Sequence, residues 1–157
     1  MKVIDLTYLH SVSDGNKELE QSLVDIFLQQ IPEFYHTMTE AQHNGDMIKL
    51  ASVAHKAKSS VLAMGMAELA HALKKLEMIC KLVYIDNCKA NGVNDTNLQW
   101  YEDQIQSLPD DMKTTIFDYI EKKVATKVMV DLINFYNLQT ELAKVDIAEA
   151  FPYQSTK

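Results

Sequence analysis

Apolar residues recur every three to four positions along most of the chain, the spacing of a helix that buries one face. Turn signals separate these segments: three glycines stand beside Asn or Asp, in SDGN, HNGD and ANGVND. The segments predict helices whose apolar positions are Leu19, Leu23, Ile26 and Phe27; Tyr35, Met38 and Ala41; Met47, Leu50, Ala54, Ala57, Val61 and Met64; Leu69, Leu73, Leu76 and Cys80; and Leu98, Tyr101, Ile105 and Leu108. Short turns between amphipathic helices favour an all-α, antiparallel up-and-down bundle.

Individual residues predict where these helices begin and end. Pro32 is expected to open the second helix, where its missing N–H costs nothing. Asp46 is a plausible N-cap for the third helix, which Gly65 interrupts. Pro109 is expected to kink or restart the helical pattern that follows it. The turn before residue 19 leaves room for a short N-terminal helical segment.

The last third of the chain is too long for one more bundle helix. An unbroken helix from Pro109 to about Glu149 would be on the order of 60 Å long. The apolar residues after position 125 are too many for a solvated helix. We therefore expect a bundle over 1–125 and a helical extension over 126–157. The favoured arrangement is a break near 122–127 that folds the extension back on the bundle, and the alternative is dimerisation through it. The segment at 124–136 is rich in β-branched residues, which are also typical of strands.

Size and composition place the chain among globular proteins. It has 157 residues, 47% hydrophobic and 24% charged, which is ordinary for one domain with its own core. No apolar run approaches the roughly 18 residues of a membrane helix, and we expect neither a membrane span nor a signal peptide. Cys80 and Cys88 show no CxxC spacing and are expected to be free thiols in a reducing compartment, the cytoplasm.

Charge is distributed unevenly along the chain. The net charge is −7 and every basic residue is a lysine, which disfavours a nucleic-acid partner. Residues 1–45 and 82–157 each carry a net −5, whereas residues 46–81 carry +3. The chain also lacks the glycine-rich signatures of nucleotide-binding loops.

We considered a di-iron helical bundle because Glu-x-x-His, the motif of such sites, occurs three times. The pairs are Glu33/His36, Glu40/His43 and Glu68/His71. On a helical wheel all six side chains lie away from the apolar stripes. They predict a solvated face, and we expect no metal site.

His55 has different surroundings. In the segment AHKAKSSVLAMG it lies about 140° from the apolar stripe of its helix, so it is expected to reach solvent. Its helical neighbours are small residues and Lys58, and the apolar Ile48 and Leu62 lie two turns away on the same face. Apolar residues around an exposed polar centre indicate a docking site, although a plain surface histidine explains the pattern too.

This stretch resembles the histidine-containing phosphotransfer (HPt) domains of multistep phosphorelays. The family pattern has a lysine three residues after the active histidine, small residues next and a glycine at plus ten, and here these are Lys58, Ser59, Ser60 and Gly65. The resemblance covers roughly residues 5–125. It departs from the pattern at Ser59, where the family usually has glycine.

The resemblance implies a phosphocarrier of HPt type, a four-helix bundle with His55 as phosphoacceptor and Lys58 as the cation that neutralises phosphate. Ser59 is then a small neighbour, and its hydroxyl either donates a hydrogen bond to the imidazole or phosphate or is only a spacer. Response-regulator receiver domains and a hybrid histidine kinase would be the partners. The receiver would supply Mg²⁺, so the chain needs no cofactor of its own. Lys49 and Lys56 would add positive potential.

Docking is expected on the His55 face and next to it. The residues assigned to it are Ile48, Ala51, Ser52, Lys56, Leu62 and Met66. The alternative function is a helical adaptor that binds a signalling partner without turning over phosphate.

Overall fold

The computed structural model describes residues 2–152, which contain seven helices and no strand. The helices are α1 (Thr7–Ser13), α2 (Lys17–His43), α3 (Met47–Ala63), α4 (Ala67–Ala90), α5 (Leu98–Gln106), α6 (Asp110–Glu121) and α7 (Ala125–Ala150). The all-α prediction is confirmed. None of these helices is long and apolar enough to cross a membrane.

Four long helices surround one core. α3 packs against α2 and α4, and α7 packs against the other sides of α2 and α4. The shorter α5 and α6 lie against α4, and α1 lies against α2. The core consists of apolar side chains from all these helices, among them Leu50, Leu76, Ile79 and Tyr136, each at most 1% exposed.

Hydrogen bonds show that α7 returns to the end where α3 meets α4. Asp5 donates its backbone N–H to the carbonyl of Met64 in the α3–α4 turn (3.0 Å). Val3, two residues earlier, donates its N–H to the carboxylate of Asp146 near the end of α7 (2.7 Å). The four long helices therefore alternate in direction around the core.

The break that precedes α7 lies at residues 122–124, inside the predicted interval. Lys123 adopts a left-handed φ of 59°, which ends α6 and redirects the chain. α7 then buries Met129, Ile133 and Ile147 against the bundle. In this structure α7 is folded back against α2 and α4.

The prediction for Pro32 was wrong, because α2 runs unbroken from Lys17 to His43 with Pro32 inside it. A proline there costs roughly 3 kcal/mol of helix stability. The ring is exposed, while Phe27, Ile31 and Met38 are buried on either side of it. Tertiary packing of this face offsets the local cost and keeps the helix continuous.

The apolar stripe assigned to the start of α2 also needs correction. Leu19 and Ile26 are exposed, whereas Phe27 is buried as predicted, together with Glu20 and Val24. The buried face therefore includes a glutamate, which an apolar stripe does not reveal. In the structure its carboxylate accepts hydrogen bonds from the Ser13 hydroxyl and a His10 ring nitrogen, both at 2.8 Å, which allows it to be buried.

The turn between α3 and α4 requires glycine for two reasons. Gly65 has φ = +72°, in the left-handed region that glycine adopts without strain. A Cβ at this position would lie 2.2 Å from the carbonyl oxygen of Asp5. The glycine that completes the His55 motif thus lets the N-terminal segment close over this turn.

Candidate functional site around His55

His55 lies in the middle of α3 and points away from the core. The helix begins at Asp46, whose carboxylate accepts a hydrogen bond from the N–H of Lys49, as expected for an N-cap. Ala54 and Ala57 are fully buried, whereas the His55 side chain is 57% exposed. The predicted exposure of this histidine is confirmed.

A buried carboxylate on α4 holds the ring of His55. The Oε1 atom of Glu77 lies 3.1 Å from His55 Nδ1, and the Glu77 side chain is only 3% exposed. Burial alone raises the pKa of Glu77. The hydrogen bond and charge of Lys81 and the hydrogen bond of His55 outweigh that effect, and the pKa is lowered below its ordinary value.

The state of Glu77 determines which histidine nitrogen is nucleophilic. An ionised carboxylate only accepts hydrogen bonds, so His55 Nδ1 must carry the proton. In a neutral ring the lone pair is then on Nε2. The structure gives Nε2 no partner among the described residues. In its neutral form His55 therefore presents the lone pair of Nε2 to solvent.

Lys81 completes a network beneath the histidine. Its Nζ donates to Glu77 Oε2 at 2.7 Å and to Gln104 Oε1 at 2.8 Å. The same ammonium group lies 5.6 Å from the centroid of the Trp100 ring and 5.7 Å from that of Tyr101. A lysine that is only 7% exposed therefore has a carboxylate, an amide and two aromatic faces as neighbours.

Further lysines surround this network. Lys58 is partly buried one turn after His55, and Lys74 is partly buried on α4. Burial lowers the pKa of Lys74, the positive charges of Lys58 and Lys81 lower it further, and Glu77 opposes them. Lys74 thus lies within the electrostatic reach of all three groups, and the surface beside His55 carries an excess of positive charge.

Ser59 does not orient the imidazole in this structure. Its hydroxyl faces the backbone carbonyl of His55 at 3.5 Å, the outer limit for a hydrogen bond. The hydrogen-bond partner of the His55 ring is Glu77, and not Ser59, which the sequence made a candidate for this role. The small size of Ser59 leaves the His55 face low in relief.

Four of the six residues assigned to docking line one pocket next to His55. The pocket has a volume of about 420 Å³ and also contacts Glu77, Lys81 and α5. Its members from the sequence prediction are Ile48, Ala51, Ser52 and Lys56. Leu62 is 47% exposed, as the helical wheel predicted.

Two docking assignments need correction. Met66 is only 3% exposed because it precedes the first turn of α4 and packs into the core. Ala51 is 2% exposed, so it offers the pocket little more than the surface of a methyl group. The helical wheel of α3 does not extend to Met66, which follows the turn at Gly65.

Sequence reasoning missed the α4 and α5 residues of the site. Glu77 carried a detectable signal, because it lies between Leu73 and Cys80 on the apolar stripe of α4, where a carboxylate needs a partner. Lys81 follows it at i+4, the favourable order for an ion pair. Nothing in the sequence indicated that Trp100 or Gln104 would reach the same place.

The residues weighed for a di-iron site stand apart from this pocket. All six side chains of the Glu-x-x-His pairs are exposed. A ring nitrogen of His36 lies 3.2 Å from the carboxylate of Glu40 on the same helix. Over residues 2–152 no three His, Cys, Asp or Glu side chains are grouped to hold a metal ion. Cys80 and Cys88 are buried free thiols.

Comparison with protein families identifies the bundle. The model of the Hpt domain matches residues 22–114, more than half of the chain. The chain belongs to the Hpt family. Neither the curated proteins nor the solved structures gave a match.

The Hpt match includes the whole site. His55, Lys58, Glu77, Lys81 and Trp100 all lie between residues 22 and 114. Hpt domains carry phosphoryl groups in phosphorelays, interact with receiver domains and kinases, and have no ATP-binding catalytic site of their own. α1 and α7 lie outside the matched residues.

Proposed function

We propose that this Hpt domain is a phosphocarrier in which His55 accepts a phosphoryl group from a receiver aspartate and passes it to another receiver. The observation that supports this most directly is the exposed imidazole whose Nδ1 is held by the buried carboxylate of Glu77. A fixed ring with a free Nε2 is a competent nucleophile toward phosphorus.

The proposed step forms one bond and breaks one bond. Nε2 of His55 attacks the phosphorus of the aspartyl phosphate, and the P–O bond breaks with its electrons leaving on the aspartate carboxylate. The ring then carries a positive charge, since Nδ1 keeps its proton. Glu77 stabilises that charge at a distance of 3.1 Å. The reverse step returns the phosphoryl group to a second aspartate.

Positive side chains of the domain would stabilise the phosphoryl group. Phosphoryl transfer depends mainly on positioning and charge neutralisation. We assign Lys58 to the phosphoryl oxygens, with Lys74 and Lys56 adding positive potential toward an acidic partner. Mg²⁺ would come from the receiver, and a hybrid histidine kinase would feed the relay. Because Cys80 and Cys88 are free thiols, which is typical of a reducing compartment, we place the protein in the cytoplasm.

Substitution of His55 tests the assignment. His55→Gln is expected to abolish labelling by a phosphorylated receiver, because no nucleophilic nitrogen remains at the site. The free energy of unfolding, measured by thermal unfolding, should change by no more than about 0.5 kcal/mol, since the side chain is exposed. The label on the wild-type protein should be acid-labile and base-stable, and phosphate retained by the variant on another histidine would refute the assignment.

His10→Gln is the sharpest control. His10 also places Nδ1 against a buried carboxylate, at 2.8 Å from Glu20, but it belongs to the acidic N-terminal stretch and lies outside the Hpt match. It should keep full labelling. A protein that binds phosphorylated receivers with no transfer in any variant would instead be the adaptor.

A further inference from the structure

One wall of the pocket beside His55 comes from an element that the phosphotransfer chemistry does not require. This wall is α5, which contributes Trp100, Tyr101 and Gln104, and α3 contributes Ile48 on the other side. The volume of about 420 Å³ falls within the roughly 300–1,000 Å³ of pockets that hold small ligands. The pocket therefore admits a side chain from a partner protein.

Trp100 is exposed and yet held in place. Trp100 is one of the large hydrophobic residues at the surface, and 59% of it is exposed. α5 is fixed to α4 by the Lys89–Glu102 ion pair (2.7 Å) and by the edge-to-face contact of Tyr84 and Tyr101, whose centroids are 6.0 Å apart. Tryptophan is one of the residue types that are enriched at binding hot spots.

We propose that this pocket receives an apolar side chain from a receiver loop next to the phosphorylated aspartate, with Trp100 as the anchor that selects the receiver. This inference rests on the proposed function. Transfer requires the aspartate to touch His55, and a standard interface of about 800 Å² per partner extends about 16 Å from its centre. Ile48 lies only two turns from His55, about 10 Å along α3, so such an interface covers the pocket.

The charges at the pocket agree with this occupant. Lys81 and Glu77 line it as a buried ion pair, and Lys56 adds one further positive charge at the rim. An acidic receiver site is attracted to this rim. The apolar surface of Ile48, Trp100 and Tyr101 then favours an aliphatic or aromatic side chain inside.

The test compares receiver-dependent labelling of wild type, Trp100→Ala and Phe117→Ala. Each rate is divided by the labelling rate of the same variant with phosphoramidate, so an effect on His55 itself cancels. Phe117 is the matched control because it is an exposed aromatic residue on α6 that does not line this pocket. Trp100→Ala should lower the normalised kcat/KM about 10-fold or more, mainly through KM, and Phe117→Ala should not change it.

A second measurement observes the contact directly, because Trp100 is the only tryptophan in the chain. A receiver without tryptophan should protect its emission from acrylamide quenching in a saturable manner, in wild type and in His55→Gln. Unchanged quenching during normal transfer, or a normalised rate in Trp100→Ala equal to wild type, overturns the inference. Protection without any transfer to wild type would support this docking and reject the phosphocarrier function.

Discussion

At the scale of single residues, Glu77 is the group that would make His55 a directed nucleophile in the proposed transfer. The carboxylate fixes the ring and its proton, and Lys81 keeps the carboxylate ionised although it is buried. Removal of either partner of such a buried ion pair is destabilising, because the other charge then stays buried without a partner. Glu77 is therefore a positioning residue that acts through His55.

Replacement of Glu77 should separate positioning from docking. Glu77→Gln is expected to slow phosphoramidate labelling of His55 about 10- to 100-fold, the range seen when a carboxylate that orients a histidine is removed from metal sites. Receiver affinity, measured by Trp100 fluorescence, should change much less. Glu68→Gln, an exposed carboxylate on the same helix, is the control. Equal labelling rates in both variants would show that Glu77 has no role in reactivity.

Glu77→Gln should also change how the free energy of unfolding depends on pH in the acidic range. Because the pKa of Glu77 is lowered from its ordinary value of 4.5, its stabilising contribution is complete above about pH 4.5. That contribution is lost as the pH falls through the lower pKa of the folded state. In urea unfolding between pH 7 and pH 3, the free energy of unfolding of wild type should therefore decrease more steeply than that of Glu77→Gln. Parallel curves would contradict the lowered pKa.

Leu62 provides a test of the opposite flank of His55. Leu62→Asp should weaken receiver binding, since it places a carboxylate on the proposed docking face. Its free energy of unfolding should stay within about 0.5 kcal/mol of wild type, because the side chain is half exposed. A loss of several kcal/mol would mean that Leu62 belongs to the core.

The sequence was sufficient for the part of the site that lies on one helix. His55, Lys58 and Ser59 follow one another along α3, so helical periodicity alone places them on or near one face. Glu77, Lys81 and Lys74 come from α4, and Trp100 from α5. Their positions depend on the register between helices, which periodicity does not determine. This explains why the orienting group was sought in Ser59 instead of Glu77.

At the scale of helices and turns, the α3–α4 connection links the motif to the N-terminal segment. Gly65→Ala should destabilise the protein more than Gly45→Ala. Both glycines have φ near +70°, but a Cβ at Gly45 would meet nothing within 4 Å, whereas at Gly65 it would meet the backbone of Asp5. We expect a loss of about 1 kcal/mol for Gly45→Ala from strain and a clearly larger loss for Gly65→Ala. Equal losses in urea unfolding would show that the segment is free to move aside.

Helix ends were predicted better than helix continuity. Asp46, Gly65 and Pro109 mark real boundaries, because each acts on the few bonds next to it. Pro32 has the same local effect, but the burial of its neighbours on α2 outweighs it. Local signals therefore identified the boundaries that no tertiary packing opposes.

At the scale of the whole molecule, α7 supplies a side of the core. The sequence suggested a bundle complete by residue 125 with an extension after it, since composition does not show which helices adjoin. In the structure α7 contacts both α2 and α4 and buries residues such as Tyr136 and Ile147. The extension thus forms the fourth long helix around the core.

Truncation after Lys123 tests this arrangement. The shortened chain should lose cooperative thermal unfolding, because burying each large apolar residue is worth roughly 2–5 kcal/mol and the whole fold only about 5–15 kcal/mol. A chain ended after Pro152 keeps all seven described helices and should melt like wild type. Light scattering should give a monomer for the full chain. A dimeric full chain together with a stable, monomeric truncation phosphorylated at His55 would contradict the folded-back helix.

The hydrogen bonds between the first residues and α7 also mean that the two ends of the described chain meet. Val3 binds Asp146, and Lys2 forms an ion pair with Glu149. The exposed turn at residues 91–94 lies between α4 and α5, away from this junction. A circular permutant that joins the ends through a short linker and opens the chain in this turn would retain every packed helix pair. Its folding would show that the arrangement is encoded in the matching faces of the helices and not in their order along the chain.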